Sequence, residues 1–143
     1  MTTEHARVAR LRRVERVRAI EKQLLTGHAA EAERMLAQLG LLASRTERIA
    51  DDYAVRTDAD DAASLRRLRG FAVGLQSISA DTAVRAESAR VRADGLAVEL
   101  AEAERRHGAI SERADRGAAA LDRRTSQRAH ADLARSLNRL ARS

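Results

Sequence analysis

The sequence predicts an all-α fold, a long antiparallel two-helix coiled-coil hairpin whose C-terminal helix is the longer. Three observations predict it. The 143 residues include no proline and no cysteine, and one Tyr and one Phe are the whole aromatic content. Such a chain lacks the aromatic area of an ordinary globular core and has the Ala/Leu/Arg/Glu composition of long helices. Apolar residues then recur at intervals of three and four over two long runs. Between the runs, residues 56–64 lack large apolar side chains.

The first helix is expected over about residues 4–56. Its heptad seam reads Leu25, His28, Ala32, Met35, Leu39, Leu42, Thr46, Ile49, Tyr53. Upstream, Val8, Leu11, Val14, Val17 and Ile20 come every three residues, a stutter that would make the stripe drift without ending the helix. The turn is expected over about 57–63, where Thr57, Asp58, Asp60 and Asp61 each offer a side-chain oxygen to cap a new helix. Thr57 and Asp60 also have the spacing of a capping box. The second helix is expected over about 64–141. Its seam runs Leu68, Ala72, Leu75, Ser79, Thr82, Ala86, Ala89, Ala93, Leu96, Leu100, Ala103, His107, Ile110, Ala114, Gly117, Leu121, about eight heptads. A short connection makes the helices antiparallel neighbours. Facing residue numbers should then sum to roughly 120, leaving the last 25 or so residues as an overhang. Leu133, Leu137 and Leu140 form a separate stripe there. The whole chain is expected as one soft rod, because each seam alanine buries little and Gly70, Gly74, Gly95, Gly108 and Gly117 lie within the second helix.

Several kinds of chemistry are not expected. Without cysteine there are no disulfides or thiolate metal sites, which fits a reducing compartment. No apolar run reaches the roughly 18 residues of a membrane span, and the opening residues carry no apolar segment of a secretory signal. Asp58 and Asp60 begin like a calcium loop. Ala62, Ala63 and Arg69 stand where that loop needs an oxygen ligand, Gly and Glu, so no metal site is expected. His5, His28, His107 and His130 lack the i, i+4 spacing of a zinc helix, and His28 and His107 read as polar seam positions. No cofactor or catalytic residue is expected, since two helices offer no enclosed cavity in which to perturb a pKa.

Charge is the informative feature. Residues 1–20 hold six arginines against two acids, and residues 105–143 hold ten against four. The intervening residues 21–63 carry five basic groups against nine acidic ones. A hairpin would gather both basic segments at one end, available to phosphates or to an acidic protein surface. Tyr53 and Phe71 flank the turn at nearly one level, either as packing that closes the hairpin or as partner anchors.

At this point the chain resembles the flagellar export protein FliJ family and its type III secretion stalk relatives, over nearly its whole length. "RLRRVERVRAIEKQLL" (10–25) is similar to the family's opening helix and "RIADDYAVR" (48–56) to its pre-turn segment. "SLRRLRGFAVGLQSI" (64–78) is similar to its post-turn helix and "AHADLARSLNRLARS" (129–143) to its charged tail. The resemblance implies a non-catalytic stalk and adaptor in flagellar protein export and motility, peripheral at the cytoplasmic face of the inner membrane. It implies three partners: an export ATPase hexamer, a membrane export gate and export chaperones. Ile49, Tyr53, Phe71, Leu75 and Ile78 match the gate-contact positions. The basic end would dock the ATPase, with Arg12, Arg13, Arg105, Arg106, Arg113, Arg116, Arg123 and Arg124 as its residues. The alternatives are a basic coiled coil binding nucleic acid, and a scaffold that dimerises through Leu133, Leu137 and Leu140.

Overall fold

The computed structural model describes residues 3–55 and 61–142. Two helices, α1 (Thr3–Ala54) and α2 (Ala62–Ala141), pack against each other as a helical hairpin with the second helix longer. Thr57, Asp58 and Asp60 lie outside the described residues. The remaining cap candidate is seen at work. The Ser64 amide donates to Asp61 Oδ1 at 2.6 Å, and the Leu65 amide donates to the Asp61 carbonyl at 3.1 Å. Asp61 is therefore the N-cap, and α2 starts two residues earlier than expected. The hydrogen bond donated by the Ser64 amide holds the Asp61 carboxyl below its ordinary pKa.

The chain divides into two compact units. Unit 2 comprises Leu25–Leu100. Its α2 seam runs through Leu68, Ala72, Leu75, Ser79, Thr82, Ala86, Ala89, Ala93, Leu96 and Leu100, all buried or half-buried as expected. Its α1 seam departs from expectation at every second position. The inward residues are Leu25, Ala29, Ala32, Leu36, Leu39, Ala43, Thr46, Ala50 and Tyr53. His28, Met35, Leu42 and Ile49 stand one residue to the side and are exposed. The reason is steric. The α2 seam is mostly small, so the helices gain most by approaching closely. A methyl group fits that approach at positions 29, 43 and 50, where the bulkier His28, Leu42 and Ile49 would hold the helices apart. Those three alanines fix the face that α1 presents, and Leu36 turns inward with them in place of Met35.

Ser79 Oγ donates to the Ala43 carbonyl across the seam at 3.5 Å, which shows how near the backbones lie. That bond sets facing numbers to a sum of 122. Ala29 is then level with Ala93 and Ala50 with Ala72, methyl against methyl, while Leu36 is level with Ala86, a large side chain opposite a small one. Ala50 and Ala93 are each 1% exposed. The buried hydroxyls of Thr46 and Thr82 bond back to the carbonyls of Leu42 and Ile78, at 2.8 and 2.7 Å, so they cost no unsatisfied polar atom.

Unit 1 comprises Met1–Leu24 and Ala101–Ser143. Here too the α2 seam is as expected: Ala103, His107, Ile110, Ala114, Gly117 and Leu121 are buried or half-buried. The expected stutter in α1 is absent. Val8 and Leu11 face inward, but Val14, Val17 and Ile20 are exposed, and Glu15, Arg18 and Lys22 take inward positions. Long aliphatic stems let charged residues cover a seam while their heads reach water. Val8 and Leu11 lie 3.4 and 3.8 Å from the point where a Gly117 side chain would begin. From Asp122 to Arg142 every residue except Ser136 is exposed, which is the expected overhang.

Candidate functional site

Within unit 2, Tyr53 and Phe71 meet edge to face, with ring centroids 4.8 Å apart and planes at 73°. That is a favoured aromatic geometry. Tyr53 is half-buried, while Phe71 remains exposed. The other gate-contact candidates divide. Leu75 lies on the seam, half-buried, whereas Ile49 and Ile78 are 45% and 55% exposed. The last turns of α1 and the first turns of α2 thus present Ile49, Phe71 and Ile78 to solvent, with Tyr53 braced beneath Phe71. Sequence reasoning missed Met35 and Leu42 as surface residues because it placed them in the seam. The signal that would have found them is a rival series of the same period, Ala29, Leu36, Ala43 and Ala50. Three of its four members are small, as the facing α2 seam demands.

Within unit 1, the docking arginines also divide. Arg12 bonds Glu15 at 2.8 Å on its own helix and Asp115 at 2.9 Å on α2. Arg106 lies 3.7 Å from Glu21 and 3.6 Å from Glu102, and Arg124 pairs with Glu4. Arg13, Arg105, Arg113, Arg116 and Arg123 are exposed and form no ion pair with another described residue. Arg113 and Arg116 line a groove of about 350 Å³ with Arg7 and Arg124, over a floor of Val8, Leu11 and Leu121. Glu15 sits in a polar layer of its own. Its carboxyl is held below the ordinary range by the hydrogen bond from Arg12 first, then by Ser111, with the charge of His107 a smaller contribution.

Among the described residues no group of three or more His, Asp or Glu could hold a metal ion, and no helix is long and apolar enough to cross a membrane. The arrangement defines a class: an all-helical hairpin whose surface offers an apolar cluster in unit 2 and, in unit 1, arginines without ion partners among the described residues. No protein-family model matches the chain, and no curated protein or solved structure compared with it matches either.

Proposed function

We propose that this chain is a non-catalytic stalk and adaptor of flagellar type III protein export, joining an export ATPase hexamer to a membrane export gate and serving export chaperones. The observation that carries the reading is the set of five arginines, Arg13, Arg105, Arg113, Arg116 and Arg123, left without ion partners among the described residues. They form the ATPase-docking surface, because unpaired arginines steer and hold an acidic counterpart. Arg12, Arg106 and Arg124 serve it by holding the two helices of unit 1 together. Ile49, Phe71 and Ile78 form the gate contact, with Tyr53 as the brace for Phe71 and Leu75 as seam packing beneath them. The chain acts at the cytoplasmic face of the inner membrane.

Co-purification with the flagellar export ATPase tests the reading. Arg105→Glu, Arg113→Glu and Arg116→Glu together should abolish co-purification while far-UV circular dichroism stays unchanged. Retained binding removes the docking role. The same arginines also favour a second reading, binding to nucleic acid. It predicts a DNA mobility shift that weakens steeply with salt, and failure to shift DNA at moderate salt excludes it.

A further inference from the structure

Placing Leu36 and Ala43 in the seam of unit 2 moves Met35 and Leu42 aside, and the space beside them is a groove of about 590 Å³. Leu39 and Ala89 form its floor. Met35 and Leu42 form one wall, 58% and 51% exposed. Arg85 and Arg92 stand on the other wall. They are seven residues apart on α2, so their Cα atoms are separated by about 10.5 Å along one face. Neither forms an ion pair with a described residue, and they are the only charged residues lining the groove.

We propose that this groove docks an amphipathic helix of a partner protein, one whose apolar stripe is flanked by carboxylates seven residues apart. An apolar floor beside a helix pair is the receptor for a helix that lays its apolar face down. Two arginines on one wall favour carboxylates at the matching repeat, since a guanidinium binds a carboxylate through paired hydrogen bonds. Charge also decides against the C-terminal leucine stripe of a second copy of this chain. Its exposed leucine stripe, Leu133, Leu137 and Leu140, lies in a segment (122–142) with six arginines against two aspartates, which Arg85 and Arg92 would repel. The proposal does not rest on the export reading: either can fail while the other holds.

The test uses the full chain and two fluorescein-labelled synthetic helical peptides. Both carry leucines at alternating spacings of three and four. One has glutamates flanking the stripe at seven-residue intervals, and its twin has lysines there. Fluorescence anisotropy at low salt should show the glutamate peptide binding at least about tenfold more tightly. Arg85→Glu with Arg92→Glu should reverse that preference, and Leu42→Asp should weaken both peptides. If the double reversal fails to fold, Arg85→Gln with Arg92→Gln should still erase the preference. Equal binding of the twins, binding of neither, or a preference that survives these changes overturns the proposal. So does sedimentation showing a dimer of the chain that Leu42→Arg dissolves, which assigns the groove to a second copy.

Discussion

In unit 2 the helices meet largely through methyl groups; in unit 1 the α1 side of the seam also carries charged side chains, set against a still apolar α2. Ala29, Ala32, Ala43 and Ala50 supply much of the α1 side of the unit 2 seam, with Leu36 and Leu39 as the larger residues between them. Each alanine contributes little by itself, about 0.8 kcal/mol against about 1.5–3 for a buried leucine. Their value lies in close approach, which adds dispersion contacts along both backbones. In unit 1, Glu15, Arg18 and Lys22 occupy inward positions, and the helices are tied by Arg12–Asp115, Arg106–Glu21 and Arg124–Glu4. Exposed pairs of this kind are screened by salt and contribute modestly. The contrast teaches that one pair of helices can be held by fit in one stretch and by adaptable polar ties in another, and the two should tolerate change differently.

The strongest way to break the contrast is to overfill the seam. Ala93→Leu in unit 2 should destabilise the protein by about 1–3 kcal/mol, because a larger side chain at a close approach forces strain. Ala19→Leu in unit 1 should cost clearly less, since this residue is only half-buried and stands beside Arg18 and Lys22, whose long flexible stems can move away. Chemical denaturation followed by far-UV circular dichroism measures both, and equal losses would remove the distinction. Next come the glycines. An added methyl at Gly74 or Gly95 meets nothing within 4 Å, so Gly74→Ala and Gly95→Ala should each stabilise by about 1 kcal/mol. The opposite change, a drop in the denaturation midpoint, should follow Asp61→Ala, which removes the N-cap of α2.

The Asp61 effect carries a pH signature. Its folded pKa is depressed, so the unfolded chain binds the proton more readily. The stabilisation is therefore complete above the unfolded carboxyl pKa and is lost as pH falls through the folded one. The stability gap between parent and Asp61→Ala should begin to close below about pH 4. The smallest effect is expected from salt. Raising NaCl to about 1 M should speed amide exchange in α1 residues 3–24 of unit 1 while leaving residues 25–54 nearly unchanged.

The α2 seam was legible residue by residue, because Leu75, Leu96, Leu100, Ile110 and Leu121 supply a strong apolar period and the alanines between them keep phase. In α1 the same reasoning chose Leu42 and Ile49 over Ala43 and Ala50, and keeping that period brought in Met35 over Leu36. Hydropathy ranks the larger residue as the more buried, while close packing ranks by volume. The charged seam of unit 1 was not legible because burial of Arg18 and Lys22 belongs to their stems. Asp61 was readable as one of four caps, and the pairing of Tyr53 with Phe71 followed from their near-equal distance from the turn. The groove beside Met35 and Leu42 stayed hidden for the same reason the seam was misplaced.

The series Ala29, Leu36, Ala43, Ala50 behaves like a ruler whose marks are evenly spaced and nearly alike. Sliding α1 along α2 by one heptad, about 10.5 Å, would set Ala43 against another small residue, Ala72 or Ala86 in place of Ser79. Even the one long mark, Leu36, would again meet a small residue, Ser79 or Ala93. The small-residue contacts alone thus give several alignments nearly equal merit. The zero of the ruler is fixed by marks that do not repeat: the bond from Ser79 to the Ala43 carbonyl, the crossed rings of Tyr53 and Phe71, and the short connection between Ala54 and Ala62. Severing that connection would free the two strips to settle at offsets in multiples of seven.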